Sequence, residues 1–129
     1  MQIKLTRIYV DDLDKALSFY TDVLGFTKKA DFSNSGYRWL TVASPEYPDG
    51  AELQLELNSD PAARAYQAAL FERDQPAVNF YSTDIRAECD RIRANGGELS
   101  MPPTDVTGST IAQLHDTCGN LVQITQLNW

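Results

Sequence analysis

A chain of 129 residues, 43% hydrophobic and 22% charged, is long enough to bury a core without disulfides or a structural metal. Its formal charge of −7 argues against nucleic acid or an anionic membrane as partner, because both are polyanions. No apolar run approaches the length of a membrane span.

In chain order, Ile3 to Val10 alternates as a strand with two distinct faces, Thr6, Ile8 and Val10 on one and Leu5, Arg7 and Tyr9 on the other. Asp11 or Asp12 can cap the following helix, since a carboxylate accepts from free N–H groups at the positive end of the dipole. Leu13, Ala16, Leu17, Tyr20 and Leu24 recur at helical spacing, and Gly25 supplies the stop. Phe26 to Phe32 reads as a strand, Ser33 to Gly36 as a turn, and Tyr37 to Ala43 as a second strand. After a polar turn closed by Gly50, Glu52 to Leu57 sets Leu53, Leu55 and Leu57 against Glu52, Gln54 and Glu56.

Residues 59 to 75 interrupt this pattern as a connector, with Asp60-Pro61 opening an alanine-rich helix over Ala62 to Phe71. The second half then restates the first. Ala77 to Ser82 is a strand, Asp84 a cap, Ile85, Cys89 and Ile92 the inner helix face, and Gly96-Gly97 the stop. Placing Asp12 on Asp84 puts Leu13 on Ile85, Leu17 on Cys89 and Gly25 on Gly97, an internal repeat. Strands follow near Glu98 to Met101, Ser109 to Leu114 and Leu121 to Gln126, with a turn over His115 to Asn120. The fold class is therefore α+β: one domain over residues 1–129, built from βαβββ modules at about 1–58 and 76–129. Cys89 and Cys118 show no CxxC spacing, which points to a reducing compartment. Met1 to Leu5 leads straight into a strand pattern without an apolar leader, so a cytoplasmic location is expected.

The stretches Val10-Asp-Asp-Leu-Asp-Lys-Ala-Leu-Ser-Phe-Tyr-Thr-Asp-Val-Leu-Gly-Phe26 and Asp116-Thr-Cys-Gly-Asn-Leu-Val-Gln-Ile124 resemble the vicinal oxygen chelate superfamily of glyoxalase I, bleomycin-resistance proteins and extradiol dioxygenases. The resemblance covers essentially the whole chain. It implies paired βαβββ modules whose sheets curl into a U-shaped cleft, and a homodimer. Metal-dependent members bind a divalent ion through side chains of the first and last strand of each module. The matching positions here are Leu5, Gln54 (with Glu56 one step along the same face), Ala77 and Gln123. Leucine and alanine have no donor atom, and a neutral amide oxygen is a weak ligand for a dication. The expectation is a member without metal or other cofactor.

The face opposite the helices carries Leu5, Arg7 and Tyr9, then Glu52, Gln54 and Glu56, then Ala77, Asn79 and Tyr81, and finally Leu121, Gln123 and Thr125. The third strand adds Tyr37 and Trp39, or else Arg38 and Leu40. Aromatic surface with a few polar groups suits a small-molecule site. The candidate ligand-binding residues are Arg7, Tyr9, Trp39, Gln54, Glu56, Asn79, Tyr81 and Gln123. Beside that stands a structural reading, in which Arg7 pairs with Glu52 or Glu56 across the sheet and the tyrosines pack. No activated nucleophile or phosphate loop is legible. The favoured reading is a metal-free binder of a small, cationic or aromatic compound. A metal-dependent lyase or dioxygenase and a metal-free isomerase using Glu56 or a tyrosine are the alternatives, so catalysis is left open.

Overall fold

The computed structural model describes every residue from Met1 to Trp129 and divides into compact units at Met1–Ala65 and Tyr66–Trp129. Each unit holds one four-stranded mixed sheet. No helix is long and apolar enough to cross a membrane.

In the first unit the sheet order is β1 (Leu5–Val10), β4 (Glu52–Leu57), β3 (Tyr37–Ala43), β2 (Thr27–Asn34). β1 runs parallel to β4, and the other pairs are antiparallel. β1 starts later than Ile3, because the ladder to β4 ends at Leu5 opposite Glu52; Ile3 beyond it is exposed. Asp12 caps α1 (Leu13–Ser18), accepting from Lys15 N at 3.0 Å.

The helix does not continue at α-spacing. Phe19–Val23 form a π-helical turn, which brings the neighbours Phe19 and Tyr20 both into the core, edge to face at 5.2 Å. A strict 3.6-residue period buries Tyr20 and overlooks Phe19. Gly25 closes the segment at φ +88°. The β2–β3 hairpin is tighter than the sequence suggests. Ser35 and Gly36 alone form its loop, at φ +53° and +81°, the positive pair of a type I′ turn.

In the second unit the order is β5 (Val78–Tyr81), β8 (Leu121–Leu127), β7 (Ser109–His115), β6 (Leu99–Val106), with β5 and β8 parallel. Asp84 caps α3 (Ile85–Ala94), accepting from Ala87 N at 3.1 Å. Ile85, Cys89 and Ile92 are at most 1% exposed, as the repeat requires. β6 runs further than Met101. It is an edge strand, and the register slips between Met101 and Thr104, so Pro102 and Pro103 remove no ladder bond that a central strand would need.

The connector helix α2 (Pro61–Glu72) crosses from one unit to the other. Within the second unit, its Gln67 donates from Nε2 to Cys118 O at 3.1 Å and to Asn120 Oδ1 at 3.2 Å. The turn it meets is organised by the buried Asp116 carboxylate, whose Oδ1 accepts from Cys118 N (2.7 Å) and Asn120 N (3.0 Å). Its Oδ2 accepts from Asn120 Nδ2 at 2.8 Å. Gly119, at φ +100°, completes the approach, since a Cβ there would lie 2.7 Å from Gln67 Nε2. The Asp116–Asn120 segment is thus a latch for α2.

Candidate functional site

Register decides which side chains share a face. Arg7 lies opposite Gln54 and Tyr9 opposite Glu56 on the β1 side of β4; Thr41 lies opposite Gln54 on the β3 side. The alternate residues Ile8, Val10, Leu40, Val42, Leu53 and Leu55 are buried on the other face. That face is the helix side. Arg38, which shares it, donates from Nη1 to Asp14 of α1 at 2.7 Å and holds Asp31 through Nε (2.9 Å) and Nη2 (3.0 Å). The open phase of β3 is therefore settled: Tyr37, Trp39 and Thr41 belong to the polar face, Arg38 and Leu40 to the helix side.

On the polar face Gln54 is fully buried and connects its neighbours. Its Oε1 accepts from Arg7 Nε at 3.2 Å, and its Nε2 donates to Glu56 Oε2 at 2.6 Å and to the Tyr37 hydroxyl at 2.9 Å. Tyr37 in turn donates to Glu56 Oε2 at 2.6 Å, and Thr41 donates to Glu52 at 2.7 Å. The direct Arg7–Glu52 or Arg7–Glu56 ion pair of the structural reading does not form, because the Gln54 amide occupies the space between the charges. A hydrogen bond to Tyr9 and the charge of Glu56 push the Arg7 pKa up. The bond to Glu56, with desolvation, raises that of Tyr37. Trp39 and Tyr9 are half-buried beside this network, and the exposed Phe32 lies opposite Trp39.

The second sheet repeats the layout with neutral groups. Gln123 stands opposite Asn79 on β5 and Gln113 on β7, as Gln54 stands opposite Arg7 and Thr41. Gln113 Nε2 donates to Gln123 Oε1 (3.0 Å), Gln123 Nε2 to Thr125 Oγ1 (3.3 Å), and Thr125 Oγ1 to Asn79 Oδ1 (2.8 Å). Tyr81 is exposed, opposite Thr125 and outside this relay. The candidates thus fall into two sets: Arg7, Tyr9, Trp39, Gln54 and Glu56 on the first sheet, and Asn79, Tyr81 and Gln123 on the second.

Thr41 and Gln113 join these networks without having been singled out, and Tyr37 joins as one of the two alternatives left open for the third strand. For Gln113 the signal was present, in the alternation of Ile111 and Gln113 against the buried Ala112 and Leu114. The connecting roles of Tyr37 and Thr41 needed the β3 register.

A divalent ion is a poor match for the positions that correspond to ligands. Leu5 and Ala77 carry no donor, and the neutral Gln54 and Gln123 oxygens, which already accept from Arg7 and Gln113, bring no charge to offset a dication. No three His, Cys, Asp or Glu side chains are placed to hold a metal ion. His115 is exposed, its ring 5.3 Å from that of Phe71. Both cysteines are buried, and burial pushes the Cys89 thiol pKa up, away from a reactive thiolate.

Comparison with known proteins bears on the whole chain. Residues 2–124 match the family model of the Glyoxalase/Bleomycin resistance protein/Dioxygenase superfamily. The protein YurT of Bacillus subtilis is 46% identical over 126 residues, spanning 98% of this chain and 99% of YurT. A probable lactoylglutathione lyase of Vibrio cholerae is 32% identical, spanning 94% of this chain and 87% of its own. Among solved structures, UcmS2 superposes with a TM-score of 0.83 at 25% identity over 97% of each chain. TnmS3, an antibiotic binding protein from Streptomyces sp. CB03234, gives 0.79 at 23% identity over 99% of this chain and 97% of its own.

Proposed function

Since the chain belongs to the Glyoxalase/Bleomycin resistance protein/Dioxygenase superfamily, we propose that it binds a small organic molecule on its polar and aromatic sheet faces, without a metal ion. The observation that carries this reading is the Arg7–Gln54–Glu56–Tyr37 network. Gln54, which corresponds to a metal-ligand position, turns its amide oxygen to Arg7, and Leu5, opposite Glu52 on the same pair of strands, offers no donor. What is left is a surface of aromatic rings around a few fixed polar groups, the usual composition of a small-molecule site.

The likeness to the antibiotic binding protein TnmS3 rests on 23% identity and carries the fold, not the ligand. Sequestration of a drug or metabolite therefore draws its support from the residues. Within this reading the chain acts in the cytoplasm as a homodimer, the assembly the family resemblance implies.

The test is a thermal-shift screen of the metal-free protein against aromatic antibiotics and metabolites, followed by recovery of any bound compound. A hit recovered unchanged after long incubation supports binding alone; a converted compound favours an enzyme. A second reading has one observation behind it, the 32% identity to a probable lactoylglutathione lyase. That reading requires divalent-metal-dependent lyase activity on a glutathione conjugate such as lactoylglutathione, which the same protein supplied with nickel or zinc would show.

A further inference from the structure

Arg7 and Glu56 carry opposite charges on one sheet face, yet they do not pair. The amide of Gln54 stands between them, accepting from Arg7 Nε at 3.2 Å and donating to Glu56 Oε2 at 2.6 Å. An amide can do both, since its oxygen satisfies a guanidinium and its NH2 a carboxylate. A glutamate at this position would neutralise Arg7 directly, and an aliphatic residue would leave Arg7 to turn to Glu56.

The groups that hydrogen-bond Arg7 are the Gln54 amide and the Tyr9 hydroxyl, neither of them a carboxylate. Arg7 is exposed and makes no ion pair, although the chain carries a net charge of −7. A guanidinium offers five N–H groups in a planar fork that fits an oxyanion. Gln54 and Tyr9 take only part of that fork. Glu56 differs, because its Oε2 already accepts from two donors at 2.6 Å. The aromatic side chains Tyr9, Tyr37 and Trp39 share the face.

We propose that Arg7 is the receptor for the carboxylate of a planar aromatic acid, and that Gln54 is the positioning residue that keeps Arg7 from being neutralised by Glu56. This deepens the small-molecule reading above and rests on it. It keeps the aromatic part of the expected ligand and replaces the cationic alternative by an anionic one. The negative net charge opposes such a ligand only at long range, where salt screens it beyond about 8–10 Å. Contact with the guanidinium is screened much less.

The experiment follows Trp39 fluorescence in a Trp129→Phe background, titrating 2-naphthoate, 2-naphthalenemethanol and 2-naphthylmethylammonium, which share one ring system and differ in charge. The expected result is naphthoate binding at least about tenfold tighter than the alcohol, as a charge-assisted hydrogen bond provides. Arg7→Met and Gln54→Glu should each bring naphthoate down to the level of the alcohol. They should also abolish the salt dependence of its affinity, while the affinity of the alcohol changes far less than that of naphthoate. Gln54→Glu need not retain full stability, and Arg7→Met keeps the test decisive if it does not. Naphthoate binding no tighter than the alcohol, or a preference that survives Arg7→Met, overturns the proposal. Equal binding of all three compounds overturns the carboxylate assignment alone, whereas binding of none overturns the small-molecule reading with it.

Discussion

Gln54 and Glu56 leave the same strand two positions apart, and the buried amide of Gln54 donates to the Glu56 carboxylate at 2.6 Å while its oxygen accepts from Arg7. Neutral amide chemistry at this point ties β1, β3 and β4 together, because Tyr37 of β3 also meets both Gln54 and Glu56. Replacing Gln54 by Leu deletes an acceptor and two donated bonds in one step. The expected loss is about 1–3 kcal/mol of unfolding free energy, readable by urea denaturation. A loss within error of zero would mean that water replaces the amide at no cost.

Gly119 is the other position where the backbone leaves little choice. Its φ is +100°, and a Cβ would lie 2.7 Å from Gln67 Nε2. Gly119→Ala should destabilise the protein by about 1–3 kcal/mol from the strained conformation and the displaced Gln67. Gln67→Ala combined with Gly119→Ala should cost less than the two single losses added, because the first removes the atoms the second collides with. Strict additivity by urea denaturation would show that the α2 latch is not made through this contact.

The Arg38 guanidinium, bidentate on Asp31, lowers the Asp31 carboxyl pKa to about 2 from its ordinary 3.8. A depressed carboxylate contributes stability that is fully present above its unfolded pKa and is lost as pH falls through the folded value. Wild type should therefore exceed Asp31→Asn in stability by a constant margin above about pH 5, and the margin should shrink from about pH 4 towards pH 2. Paired denaturation curves across that range check it. A margin unchanged down to pH 2 would assign the difference to something other than this charge.

Cys89 and Cys118 are both buried, and Cys89 is held above its ordinary pKa mainly by desolvation. Neither should react with an aromatic disulfide reagent at pH 8 on the timescale of free cysteine, and both should react once the chain is unfolded in urea. Rapid labelling of the native protein would show that one thiol is reached by local opening.

The scaffold was open to sequence reasoning because its signals are local. The aspartate caps at Asp12 and Asp84, the glycine stop at Gly25 and the buried Ile85, Cys89 and Ile92 all follow from spacing and residue type. The π-helical turn at Phe19–Val23 escaped, because a sequence that fits a period of 3.6 gives no sign of one extra residue in a turn. The phase of β3 escaped as well. Tyr37–Trp39 and Arg38–Leu40 are both plausible inner pairs, and only the register against Gln54 separates them.

For the candidate site, the residues on β1 and β4 were legible from alternation, but their bonding was not. A charged pair between Arg7 and a glutamate looks as reasonable in sequence as the amide-bridged arrangement that forms. The Asp116–Asn120 stretch, one of the clearest signatures in the chain, holds α2 through Gln67. Its pattern records a turn in which a buried carboxylate meets backbone N–H groups, a structural demand rather than a catalytic one.

The central claim is that this site works without a metal ion. Elemental analysis of the protein purified without chelator, before and after dialysis against excess nickel and zinc, tests it most directly. The account predicts metal far below one ion per chain in both samples, since Leu5 and Ala77 offer no donor and Gln54 and Gln123 offer only neutral amide oxygens that already accept hydrogen bonds. One divalent ion per chain, lost on substituting Gln54 and Gln123, would contradict it.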